Sequence, residues 1–161
     1  MNILLTGATG YIGKRLLPVL IELGHHVICA VRDENRFNPP ASLKKNLSVI
    51  EVDLLKEETL RNIPKIIDVA FYLVHSMSNA SNYEVLEHQS AVNFREAINK
   101  TNTKQVIYLS GVVNHEGRLS KHLSSRKNVG IQLFKGNYSL TTFRAGIIIG
   151  SGSASFEIIR D

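Results

Sequence analysis

The sequence predicts an α/β fold, a doubly wound parallel sheet in three layers, and two observations carry the prediction. Short runs rich in Val, Ile and Leu alternate with stretches of helical periodicity along the chain. Those runs are nearly continuous in apolar residues, so both faces of the sheet must be covered by helices. Right-handed crossovers then join parallel neighbours. The 161 residues suit one domain, since domains usually hold roughly 100–200 residues.

Asn2–Thr6 reads as the first strand, closed by Gly7. Ile12, Leu16, Leu17, Leu20 and Leu23 recur at helical spacing over Tyr11–Leu23, and Gly24 stops that helix. Pro18 falls inside it, so the helix is expected to bend or to start late. Further strands follow at Val27–Val31, Leu47–Val52, Val69–Val74, Val106–Leu109 and Thr141–Phe143, with helical patterns at Glu57–Asn62, Tyr83–Asn99 and Ser120–Phe134. The expected strand order is 3-2-1-4-5-6. Asn35–Ser42, with Pro39 and Pro40, is the one linker-like stretch. Residues 151–161 read as a helix start too short to hold itself, so the 1–161 domain is expected to be truncated at its C-terminal end.

Composition narrows the class. Hydrophobic residues make up 43% and charged residues 20%, ordinary for a globular protein. A single cysteine, Cys29, cannot form an internal disulfide, and its apolar surroundings suggest a small buried hydrophobe. No apolar run reaches membrane-spanning length, and the N-terminus lacks signal-peptide character, so a soluble cytoplasmic protein is expected. Residues 1–99 carry ten Lys and Arg against eleven acids, and residues 100–161 carry nine against three. The net charge of +5 therefore sits in the last third, around Arg118, Lys121, Arg126 and Lys127. Such a patch can meet nucleic acid, an anionic membrane or a phosphorylated small molecule.

The glycine loop favours the last. TGATGYIG (6–13) lies between the first strand and the first helix. Gly7 permits a tight turn, Gly10 allows close backbone approach to a pyrophosphate, and Gly13 lets the helix pack on the strand. The helix N-terminus adds N–H groups and partial positive charge. This is the dinucleotide fingerprint of the Rossmann fold. After the second strand, Arg32 with Arg36 suits the 2′-phosphate of NADP, which is favoured. Asp33 turning to the ribose of NAD is the alternative. Asp53, within VDLL (52–55), is placed either to reach the adenine amine or to cap a helix.

TGATGYIG, DLL (53–55), YLVHSM (72–77), YLSG (108–111), HLSSR (122–126) and RAGIIIGSGSASFE (144–157) together resemble the atypical short-chain dehydrogenase/reductase superfamily. The similarity covers the whole chain. It points to NAD-dependent epimerase/dehydratase-like and NmrA-like proteins, and to bacterial NAD(P)-binding proteins related to the 39 kDa accessory subunit of respiratory complex I. Proteins of these groups continue past this length, in keeping with a truncated domain.

In the catalytic members a Ser or Thr, a Tyr and a Lys act together, the Tyr passing a proton while hydride moves at the nicotinamide. Here the resemblance puts His122 and Arg126 in the Tyr-x-x-x-Lys places and Val112 in the hydroxyl place. Arg126 can hold the ribose, while His122 can serve as acid or base or stand as a plain polar residue beside the cofactor. The candidate cofactor-binding residues are Gly7, Thr9, Gly10, Tyr11, Ile12, Gly13, Arg32, Asp53, Leu54, Val74, His75, Ser110 and Arg126; the candidate catalytic residues are His122 and Arg126. Arg144 is expected to pair with a carboxylate or backbone carbonyls.

His25, His26, His88 and His115 show no metal-ligand spacing, so no metal is expected. No glycine-bounded serine elbow appears. The basic segment lacks interleaved aromatics, which argues against nucleic acid. The expected partners are the dinucleotide, a small-molecule substrate and, for a homo-oligomer, a second copy. The expected function is an NADP-favouring oxidoreductase or epimerase/dehydratase-like enzyme; the alternative is an NAD(P)-binding sensor, regulator or assembly subunit without turnover.

Overall fold

A computed structural model of the chain describes residues 1–75, 82–112 and 121–153, the side chains of Lys121 and His122 excepted. Six parallel strands form one sheet: β1 (Asn2–Thr6), β2 (His26–Val31), β3 (Leu47–Glu51), β4 (Val69–Tyr72), β5 (Gln105–Gly111) and β6 (Ser139–Ala145). Their order is β3-β2-β1-β4-β5-β6, as the sequence predicts. The helices are α1 (Tyr11–Glu22), α2 (Glu57–Leu60), α3 (Tyr83–Ile98) and α4 (Lys121–Phe134).

Strand pleating divides the apolar residues between two cores. Ile3, Leu5, Val27, Cys29 and Val31 pack with Leu17 and Leu20 of α1 on one face. Leu4, Ala70, Tyr72, Val106 and Tyr108 pack with Phe94 and Ile98 of α3 and Val129 and Leu133 of α4 on the other. This division follows from topology. The connection from β1 to β2 runs one way across the sheet and those from β4 to β6 run the other, so right-handed crossovers put their helices on opposite faces. The direction reverses between β1 and β4, and there the crevice opens at the strands' carboxyl ends.

Of the two outcomes expected for Pro18, a late start is not the one taken: α1 begins at Tyr11 with Pro18 inside it. The amphipathic face, with Leu17 and Leu20 buried either side of Pro18, outweighs one lost N–H bond. The linker-like stretch after β2 instead holds two 3₁₀ turns, at Glu34–Arg36 and Ala41–Asn46. The terminal helix expected over 151–161 lies outside the described residues beyond Ser153. Among the described residues no helix is long and apolar enough to cross a membrane.

Candidate nucleotide cleft

The turn after β1 is built by its glycines. Gly7 has φ +72°, and a Cβ there would lie 2.7 Å from the Leu73 carbonyl oxygen. A Cβ on Gly13 would overlap the Gly7 carbonyl oxygen, so both positions demand glycine on steric grounds alone. Gly10 donates its N–H to Gly7 O at 2.9 Å and stands as the N-cap of α1 without any side-chain capping bond. The first turn also holds no acidic side chain. Its N–H groups and partial positive charge therefore face the crevice unneutralised.

A cleft of about 340 Å³ runs over this turn. Of the predicted residues it brings together Gly7, Thr9, Gly10, Arg32, Asp53, Leu54, Val74, His75 and Arg126. Beside it, Thr9, Arg32, Asp33 and Arg36 line a shallower recess. Asp33 accepts a hydrogen bond from Asn35 N at 3.0 Å and so caps the turn behind β2. Asp53 accepts from Leu55 N at 3.0 Å in a local turn; Lys56, not Asp53, stands at the N-cap of α2. The Leu54 carbonyl is fixed by Asn93 Nδ2 of α3 at 2.6 Å.

Other predicted residues stay off the cleft wall. The Tyr11 ring lies under Arg15, whose guanidinium carbon is 3.8 Å from the ring centroid, and its hydroxyl lies against Gly150. Arg15 Nη2 in turn donates to Ser151 O at 2.6 Å, tying the chain after β6 to α1. Ile12 and Gly13 contribute backbone to the first turn of α1, and Ser110 is buried at the end of β5. Arg144 is exposed on edge strand β6 and makes no ion pair among the described residues, which leave out the acidic residues at 116, 157 and 161. His122 falls on α4, but its side chain lies outside the described residues.

The far end of the cleft holds an arrangement that the sequence reading missed. His75 Nδ1 and Glu87 Oε1 are hydrogen-bond partners, and Ser125 Oγ donates to Glu87 Oε2. Glu87, on α3, is 5% exposed; the His75 side chain is 21% exposed and lines the cleft. The signal was available. Glu87, Ser90, Ala91, Phe94 and Ile98 share one buried helical stripe, and an acid on such a stripe needs partners.

Beneath them, Tyr108 packs edge-on to Tyr72 with centroids 5.9 Å apart, and its hydroxyl donates to Arg126 O at 3.1 Å. Arg126 Nη1 donates to Leu109 O at 3.1 Å, which aims α4 at the end of β5. Burial pushes the Tyr72 hydroxyl well above its usual range and raises that of Tyr108, where Ser110 and Arg126 offset part of the effect. Among the described residues no group of three or more His, Cys, Asp and Glu gathers as a metal would require.

The chain matches the profile of the NAD dependent epimerase/dehydratase family over residues 3–117. Among curated proteins it is similar to Trichosetin synthetase PKS-NRPS1 of Gibberella fujikuroi, with 32% identity over 109 residues, covering 61% of this chain and 3% of that one. Its fold matches the triphenylmethane reductase of Citrobacter sp., solved with NADP(H), at a TM-score of 0.73 and 18% identity, over 89% of this chain and 49% of that one. It also matches WbmH of Bordetella bronchiseptica, solved with NAD+, at a TM-score of 0.75 and 16% identity, over 92% and 56%. The chain thus spans about half the length of these solved structures.

Proposed function

The chain belongs to the NAD-dependent epimerase/dehydratase family, and from that premise we propose that its cleft holds a nicotinamide dinucleotide, NADP(H) in preference to NAD(H). The carrying observation is the cleft over an uncapped, glycine-built helix start, with Arg32 at one end, Arg36 in the recess beside it, and the His75–Glu87 pair at the other end. A dinucleotide fits these residues. Gly7, Gly10 and Gly13 leave backbone where side chains would block a pyrophosphate, and the N–H groups of Tyr11 and Ile12 with Thr9 meet its charge. Arg32 and Arg36 would take the 2′-phosphate by charge-assisted bonds. Asp33 capping its own turn supports this, because its carboxylate is engaged locally rather than offered to a ribose.

Asp53 and Leu54 would border the adenine. Val74, His75 and Arg126 would border the nicotinamide and its ribose, with Ser110 buried behind them. When bound, the dinucleotide supplies hydride exchange. The chain's own task is to hold it, orient a small-molecule substrate and manage a proton. On this reading the protein is an oxidoreductase or epimerase/dehydratase-like enzyme, with His122 and Arg126 the residues its family resemblance points to.

A second reading, a dinucleotide-binding sensor or assembly subunit without turnover, is favoured by one observation: Arg126 donates to Leu109 O and so braces the fold. The test is NADPH fluorescence on titration with the protein, followed by absorbance at 340 nm with a panel of aldehydes and ketones. Binding with turnover supports the enzyme; binding without turnover supports the sensor. No binding overturns both.

A further inference from the structure

We propose that His75 is the proton-transferring group of this cleft and that Glu87 is its positioning residue. The inference rests on the dinucleotide reading above and adds to it a residue outside the places that the family resemblance marks. Three elements meet here: the chain after β4 carries His75, α3 carries Glu87 and α4 carries Ser125. Glu87 is nearly sealed from solvent, yet it holds two named partners, His75 Nδ1 on one oxygen and Ser125 Oγ on the other. Among the described residues Tyr72, Tyr83 and Tyr108 sense its charge, and the Arg126 guanidinium acts on Tyr72 and Tyr108 beside it.

With Glu87 ionised, its oxygens offer only lone pairs, and the shared proton then resides on Nδ1. The neutral ring then carries its lone pair on Nε2, the tautomer suited to accept a proton from a substrate hydroxyl. Oxidation of an alcohol would place the hydroxyl proton on Nε2, with the carbon's hydride passing to the nicotinamide; reduction of a carbonyl would return that same proton to oxygen. Because Ser125 holds the second oxygen, the carboxylate is fixed from both sides and the ring is aimed rather than free to swing. A buried acid whose role is only to join three elements would be indifferent to what occupies Nε2.

That difference sets the test. His75→Asn keeps a donor near the place of Nδ1, and so the bond to Glu87, while removing Nε2. In full-length protein with NADPH and 9,10-phenanthrenequinone as probe carbonyl, His75→Asn is expected to lower kcat by about a hundredfold or more with KM within about twofold. Its melting temperature should stay close to that of the unsubstituted protein. Glu87→Gln is expected to lower kcat by roughly tenfold, since a mis-set ring still reacts. ¹⁵N NMR of the unsubstituted protein should show the neutral His75 ring protonated at Nδ1, and Glu87→Gln should redistribute that proton. A ring protonated at Nε2, or quinone turnover that His75→Asn leaves intact, overturns the inference. Absent NADPH binding by the unsubstituted protein would instead remove the reading beneath it.

Discussion

Gly7 and Leu73 are in backbone contact across the top of the sheet: a Cβ on Gly7 would lie 2.7 Å from the Leu73 carbonyl oxygen. The glycine turn is therefore seated against the end of β4, not merely attached to β1. Gly7 also has φ +72°, which L side chains adopt at a cost of about 1–3 kcal/mol. Gly7→Ala should consequently lower stability by at least that amount, read from urea unfolding. Gly10 has φ −77°, which alanine adopts freely, and its Cβ would meet only Gly7 O at 3.2 Å. Gly10→Ala is expected to keep stability within about 1 kcal/mol while lowering NADPH affinity at least tenfold by narrowing the backbone approach.

Thr6 reinforces the same junction. Its Oγ1 donates to Phe71 O at 2.8 Å and accepts from Leu73 N at 3.3 Å. Thr6→Val keeps the shape but strands both backbone groups in a buried place, at a cost of about 1–3 kcal/mol. Thr6→Ser retains the hydroxyl and should cost less than half as much. Equal unfolding midpoints for the two variants would show that the hydroxyl contributes nothing.

Cys29 gives the fold an alkaline weakness. Burial pushes its thiol from 9.0 up to about 12, and burial likewise pushes Tyr138 from 10.0 up to about 12. Unfolded chains release these protons earlier, so stability is complete below about pH 9 and falls as pH rises toward 12. Cys29→Ala should flatten that fall, measured as the difference in urea midpoint between pH 8 and pH 11. At pH 8 the folded protein should also resist iodoacetamide, which requires thiolate.

Much of this was legible in the sequence because local and global signals agree. The near-continuous runs NILLT and VICAV report a sheet covered on both sides, and TGATGYIG reports the turn, since sterics at Gly7 and Gly13 leave no other residue. What escaped was set by tertiary contact. Pro18 sits inside an unbroken α1 because packing of Leu17 and Leu20 decides the helix. Glu87, His75 and Ser125 are 12 and 38 residues apart in sequence, and only the crossing of α3 and α4 above β4 brings them together.

On the proposed reading, this cleft takes a dinucleotide whose 2′-phosphate lies at Arg32. Calorimetric titration of the unsubstituted protein and Arg32→Ala with NADPH and with NADH tests it most directly. The unsubstituted protein should bind NADPH at least tenfold more tightly than NADH; Arg32→Ala should lose about 1.5–3 kcal/mol toward NADPH and little toward NADH. Equal affinities for the two cofactors, or an NADPH affinity untouched by Arg32→Ala, would contradict it.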